Sequence, residues 1–199
     1  MKLILIRHGE TKEGKKGIIL GQLPGTLSIK GKATAKQLAR LIKSANINPS
    51  VIFSSDLRRA KETSEIIAKI LKLPIKYDQL LRERFSGQAE GKLEKEINWK
   101  EYEKKKKPFR RHPEGESFSE VRTRAKNFIK KINKIKNKDI IVVSHSAFLS
   151  MLFSVFYKWS VEKSLKWDFS DRITILDLQK KSGAEFLPLP KTRAIQRKK

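Results

Sequence analysis

The chain has 199 residues, with 46 Lys plus Arg against 21 Asp plus Glu, a formal net charge of +25. It contains no cysteine, which excludes disulfides, a cysteine nucleophile and cysteine-held zinc or iron–sulfur sites. The length suits one domain, or a domain with a small inserted cap, and the cationic excess favours anionic partners.

That excess does not by itself choose among small phosphates, nucleic acid and acidic lipid surfaces. No apolar run reaches the length of a membrane span. The opening Met1-Lys2-Leu3-Ile4-Leu5-Ile6 is too short for a signal peptide and runs into a charged motif, so the expected location is the cytoplasm.

In chain order, Leu3-Ile4-Leu5-Ile6 is a continuous apolar run, the pattern of a strand buried on both faces. It ends at Arg7-His8-Gly9-Glu10-Thr11, followed by a loop dotted with glycine. A helical spacing of Ala35, Leu38, Leu41, Ile42 and Ala45 spans 31–44, and Asn46 to Pro49 breaks it. Val51-Ile52-Phe53 predicts a second strand. Ser54-Ser55-Asp56 supplies cap chemistry for a helix with Leu57, Ala60, Ile66, Ile67, Ile70 and Leu71 on one face. Pro74 stops that helix, and Ile75-Lys76-Tyr77 predicts a third strand.

From Arg82 to Pro113 the chain is lysine-rich and poor in aliphatics. It reads as a loop-rich cap, inserted over about 84–116, with one short helix from Glu94 to Tyr102. His112 is expected to be an exposed loop residue. Ser117 with Glu120 forms a capping box. The helix behind it carries Phe118, Val121, Ala125, Phe128, Ile129 and Ile132. Ile140-Ile141-Val142-Val143 is the strongest strand signal, ended by Ser144-His145-Ser146, and 147–157 reads as a buried helix. Its Phe148, Leu149, Leu152, Phe153 and Phe156 are read as core packing. Ile173, Ile175 and Leu176 predict a further strand, and Glu185-Phe186-Leu187 an edge strand. Residues 1–190 form one domain in this reading, with 191–199 a basic tail. No internal repeat is visible.

This alternation predicts a three-layer α/β/α sandwich around a mostly parallel sheet. In such sheets ligands bind beyond the carboxyl ends of the strands, where both Arg7-His8 and Ser144-His145 fall. A histidine beside an arginine and a flexible glycine suits nucleophilic attack on phosphorus. Arginine forks match phosphate oxygens. Arg58 and Arg59, at a helix start that disfavours cations, are either solvated surface residues or partners of a bound anion.

Arg7-His8-Gly9-Glu10-Thr11 resembles the R-H-G-[ED]-[ST] signature of the histidine phosphatase, or phosphoglycerate mutase-like, superfamily. The resemblance runs from Leu3 to about Leu187. The stretch from Ser54 to Thr63 resembles the motif S-x-L-x-R-A-x-x-T, with Arg59 as its arginine. Leu81 to Gly87 resembles the acid motif, with Glu83 as the acid. Val142-Val143-Ser144-His145 resembles the second histidine motif, and Leu27 to Gly31 the family's P-L-[TS]-x-x-G turn.

The resemblance implies two-step phosphoryl transfer. His8 is the nucleophile, Glu83 the general acid and base, and Arg7, Arg59 and His145 hold the phosphoryl oxygens. It implies no metal and no cofactor, with 2,3-bisphosphoglycerate required only by a mutase. Gly9, Thr11, Gln22, Ser146, Arg110 and Arg111 are further candidates for substrate contact. Two positions depart from the pattern. Glu13 and Gly14 stand where many members have Trp-Asn, and Gln22 is a candidate replacement amide. Ser146-Ala147 follows His145 where glycine is usual, and Ser146 is a good cap residue.

The modest cap and the Pro113-Glu114-Gly115-Glu116-Ser117 run resemble the smaller phosphatases. A phosphomonoester hydrolase acting on a small phosphorylated metabolite is therefore the first reading. A 2,3-bisphosphoglycerate-dependent mutase is the second. A catalytically weak member that binds nucleic acid through its basic surface is the reading from another class. No membrane partner is expected, and the protein is expected to be a monomer or a dimer.

Overall fold

Apolar runs with no polar alternation need cover on both faces. The computed structural model, which describes residues 1–135, 138–178 and 184–189, provides it. Strands β1 (Lys2–Arg7), β2 (Val51–Ser54), β3 (Ile75–Tyr77), β4 (Ile140–Ser144), β5 (Arg172–Asp177) and β6 (Glu185–Pro188) form one sheet in the order β3-β2-β4-β1-β5-β6. The pairs β3–β2, β2–β4 and β4–β1 are parallel, while β5 and β6 add antiparallel. Alternate residues serve opposite cores. Leu3, Leu5, Ile140 and Val142 pack to one side, and Ile4, Ile6, Ile141 and Val143 to the other.

The second of these cores is closed by α1 (Ile29–Ser44) and α2 (Arg58–Leu71). The first is closed by α4 (Phe118–Ile132) and α5 (Ser146–Phe156), which follow a short cap helix α3 (Trp99–Glu103). Phe148, Leu149, Leu152 and Phe153 are fully buried, and Phe156 is partly buried against them. A single turn of helix, α6 (Val161–Ser164), precedes β5. No helix among the described residues is long and apolar enough to cross a membrane. The basic tail read at 191–199 lies outside the described residues.

Three local expectations are corrected. Asp56 does not cap α2. The cap position is Leu57, without a side-chain bond, and the Asp56 carboxylate instead takes the Arg82 guanidinium in a fork at 2.7 and 2.5 Å. A bidentate charged pair outcompetes one amide bond. The single helix expected over 94–102 is broken at Ile97, which is extended. Asn98 then caps α3 by accepting the Glu101 amide, so an asparagine ends one turn and starts the next. His112 is only 5% exposed, stacked on Tyr102 with ring centroids 4.5 Å apart and set against the edge of Trp99. The cap thus has its own small aromatic core. The capping box of Ser117 and Glu120 forms as read.

The turn after β1 is fixed by glycine for reasons of space. A Cβ on Gly9 would lie 2.5 Å from the Gly31 carbonyl oxygen, and one on Gly31 would lie 2.2 Å from that of Glu10. The first turn of α1 therefore presses directly on the loop behind His8. Ser28 caps α1 by accepting the Gly31 amide, and its own hydroxyl donates to Glu10. Gly31→Ala is expected to destabilise the fold by about 1–3 kcal/mol through overpacking, although alanine is the better helix former. Urea denaturation checks this, and an unchanged or raised stability contradicts it.

Candidate active site

The register of the two central strands assembles the site. Arg7 pairs with Ser144 across the parallel β1–β4 ladder, so His8 and His145 are the next residue on each strand. Their rings lie 4.9 Å apart at the carboxyl edge of the sheet. The His8 amide continues the ladder by donating to the Ser144 carbonyl at 2.9 Å.

Two contacts define the His8 ring. Nδ1 is 2.8 Å from the Gly9 carbonyl, which can only accept. Nε2 is 3.2 Å from Nε of Arg59, which can only donate. The ring is therefore the Nδ1–H tautomer, with the Nε2 lone pair turned to Arg59. Burial, then the Arg59 and Arg7 charges, hold His8 well below the ordinary 6.5, against an opposing effect of the Gly9 bond.

Arg59 is 2% exposed, and its other nitrogens donate to the Leu23 carbonyl at 2.8 Å and the Gly21 carbonyl at 2.6 Å. Burial lowers its pKa, opposed by the nearby Glu83 and Glu90 carboxylates. Its neighbour Arg58 points to solvent and pairs with Glu62 at 2.9 Å, so one of two adjacent arginines serves the site and the other the surface. Arg7 donates to Ser170 Oγ at 2.7 Å.

Glu83 leans on the start of α5. Its carboxylate accepts the Arg84 amide at 2.8 Å and the Ala147 amide at 3.2 Å. The segment carrying it is gripped by Arg124, which donates to the carbonyls of Leu80, Arg82 and Glu83 at 2.8, 2.9 and 3.2 Å. Arg124 also pairs with Glu116 at 2.8 Å.

The remaining candidates separate. Gln22 reaches the acid segment, with Nε2 donating to the Glu83 carbonyl at 3.1 Å. Thr11 is buried, and its hydroxyl accepts the Gly14 amide at 3.0 Å. Glu13 is engaged by the backbone, accepting the Thr26 amide at 3.0 Å, and its charge acts on Arg59. Ser146 is not a cap. His145 holds the cap position of α5, without a side-chain bond, and Ser146 is the first helical residue. Arg110 is engaged by the Lys105 carbonyl at 2.9 Å and by Glu103, and Arg111 by Glu120 at 3.1 Å. A cavity of about 350 Å³ opens beside Arg7, His8, Gly9, Thr11, Lys15 and Ser170. Neither Arg110 nor Arg111 lines it. A larger one of about 470 Å³ lies in the cap, where Arg111, Lys92 and Lys105 surround Tyr102 and His112. Among the described residues no group of three or more His, Asp or Glu is placed to hold a metal ion.

Four contributors escaped the sequence reading. They are Thr63, whose hydroxyl faces the Gly9 amide at 3.2 Å, Ser55 beside His145, Ser170 beside Arg7, and Arg124. Thr63 stands within the quoted motif, and its hydroxyl was the available signal. Ser170 and Arg124 carried none.

A family model described as histidine phosphatase superfamily (branch 1) matches residues 3–185. A probable phosphatase of Schizosaccharomyces pombe is 34% identical over 179 residues, which is 85% of this chain and 78% of that one. A probable phosphoglycerate mutase of Escherichia coli is 33% identical over 160 residues, 77% of this chain and 74% of that one. Among solved structures, the alpha-ribazole phosphatase from Shigella flexneri superposes with a TM-score of 0.81 at 25% identity, covering 95% of this chain and 96% of that one.

The two histidines tie stability to pH. Both are held well below 6.5 in the folded chain. The unfolded chain therefore takes up protons that the native one refuses, and stability falls as pH drops below about 6.5. Each group contributes up to about 1.4 kcal/mol per pH unit in that window. Urea denaturation between pH 7 and 5 is expected to show this loss, with a shallower slope in the double variant His8→Asn, His145→Gln. An equal slope in both proteins contradicts the assignment.

Proposed function

The chain belongs to branch 1 of the histidine phosphatase superfamily, and from that membership we propose that it is a phosphomonoester hydrolase working through a phosphohistidine on a small anionic metabolite. Relatives named as phosphatases, and one named as a phosphoglycerate mutase, support an enzyme of phosphatase or phosphotransferase type. The observation that carries the finer reading is the His8 ring. It is neutral, anchored through Nδ1, and presents an Nε2 lone pair whose one partner among the described residues is a hydrogen bond from Arg59.

In the first step that lone pair attacks phosphorus in line, an N–P bond forms and the P–O ester bond breaks. The proton on Glu83 passes to the leaving oxygen. In the second step Glu83 takes a proton from water, the water oxygen attacks phosphorus, and the N–P bond breaks to release inorganic phosphate. Arg7 and Arg59 supply fixed positive charge to the phosphoryl oxygens, which is the main catalytic demand of such a transfer. In this reading their cationic heads take the part a metal plays elsewhere, and no cofactor is required.

Arg59 loses its hydrogen bond to Nε2 when phosphorus arrives there. A phosphoryl oxygen bonded to that phosphorus replaces the lost acceptor with a charged one, so the arginine is better satisfied in the transition state than at rest. Lys15 and Lys30 on the mouth of the cavity beside His8 favour an anionic substrate.

The Escherichia coli relative favours a second reading, phosphoglycerate mutase. Conversion of 3-phosphoglycerate that depends on added 2,3-bisphosphoglycerate would replace hydrolase by mutase. Salt-sensitive nucleic-acid binding is the reading of another class, and catalysis that requires His8 argues against it.

Two outcomes test the proposal. His8→Ala is expected to lower kcat/KM for an aryl phosphate at least about a thousandfold. Retention of activity overturns the nucleophile. Glu83→Gln is expected to lower kcat/KM for alkyl phosphates by about 10²–10⁴, and much less for p-nitrophenyl phosphate, whose leaving group needs no proton. Equal losses on both substrates contradict the role of Glu83 as acid.

A further inference from the structure

His145 is fully buried, and its ring nitrogens have unequal surroundings. Nε2 lies 2.9 Å from Ser55 Oγ. Nδ1 is shielded from solvent and has no hydrogen-bond partner among the described residues. An unpaired buried polar atom is costly and calls for something that completes it.

The proton of Ser55 decides which atom Nδ1 is. Ser55 is also fully buried, and its Oγ accepts the Leu57 amide at 3.2 Å. Among the described residues, His145 Nε2 is the one acceptor facing that hydroxyl. If Ser55 donates to Nε2, the neutral ring carries its proton on Nδ1, and a single buried N–H is left unpaired. The opposite tautomer leaves two groups unpaired, the Ser55 proton and the Nδ1 lone pair. The ring is neutral because burial, with Arg59, Arg7 and Arg124 nearby, opposes its charging.

We propose that Ser55 is a positioning residue whose hydroxyl locks His145 as the Nδ1–H tautomer, so that the unpaired N–H stands ready to donate to a phosphoryl oxygen carried at His8. Only the identity of the oxygen rests on the phosphatase reading. The geometry that supports it is compact. His8 and His145 are 4.9 Å apart. Ser55 and Arg59 flank Leu57, the cap position of α2, whose amide donates to Ser55 Oγ and whose carbonyl accepts the Ala60 and Lys61 amides. One turn thus presents a donor to each histidine, Arg59 to His8 and Ser55 to His145. A neutral donor of fixed direction needs no reorganisation when charge develops on the oxygen.

The direct test is nitrogen-15 NMR of the histidine rings of the unliganded protein at pH 7. His145 is expected to show a protonated Nδ1 and a bare Nε2. A bare Nδ1, or a doubly protonated ring, overturns the inference. In Ser55→Ala the His145 signals are expected to shift toward a tautomer mixture. The same variant should lose roughly tenfold to a hundredfold in kcat with KM little changed, because the donor acts on developing charge. Ser55→Thr, which keeps the hydroxyl, should restore the wild-type ring signals. A folded Ser55→Ala protein with unchanged ring signals and unchanged kcat also overturns it. The ring assignment needs no turnover, so it can fail while His8→Ala still abolishes activity, which separates it from the phosphatase reading.

Discussion

The contact on which the site depends is between a buried guanidinium and a neutral imidazole. Arg59 is closed off from water and spends two of its nitrogens on the carbonyls of Gly21 and Leu23. Its remaining Nε faces His8 Nε2. A cation so placed would be costly without those acceptors. With them it is fixed, and burial of the imidazole, reinforced by the Arg59 charge, keeps His8 unprotonated. The loop after β1 therefore has two jobs. Its glycine contacts with α1 place the His8 backbone, and its later carbonyls at Gly21 and Leu23 place Arg59. A change in either moves the same hydrogen bond.

The sheet supplies the other half of the arrangement. Parallel pairing of β1 with β4 in the register Arg7 to Ser144 brings two histidines side by side from residues 137 positions apart in the chain. Glu83 comes from a third segment, held by Arg124 through its backbone and by the Ala147 amide of α5 through its carboxylate. Each of these side chains is thus held by backbone or by a second polar group, the condition for preorganised electrostatics.

Much of this was legible in the sequence because it is local. Continuous apolar runs marked β1, β2 and β4, since strands covered on both faces carry no alternation. The capping box marked the start of α4. His8, Arg59, Glu83 and His145 stood out by the motifs around them. The supporting contacts did not, because they join distant residues. Ser170 reaches Arg7 across 163 positions, and Ser55 reaches His145 across 90. Asp56 shows the same limit in reverse. Its place before a helix reads as a cap, and only the fold brings up Arg82 to claim it. His112 looked exposed in a lysine-rich stretch because nothing local reveals its stack on Tyr102. The net charge of +25 likewise divides once the fold is known. Arg7 and Arg59 face the histidines, Arg58 and Lys131 answer the half-buried Glu62 and the buried Asp78, and Lys92, Lys105 and Arg111 gather around the cap cavity.

The proposed intermediate on His8 is covalent, so it can be trapped. The protein is mixed with an excess of aryl phosphate, quenched within milliseconds in alkali, digested and mapped by mass spectrometry. One phosphate is expected on the peptide containing His8, lost on brief acid treatment as a nitrogen–phosphorus bond requires, and absent when inorganic phosphate release has finished. Turnover with no phosphate on His8 under these conditions, or phosphate on a different residue, would contradict it.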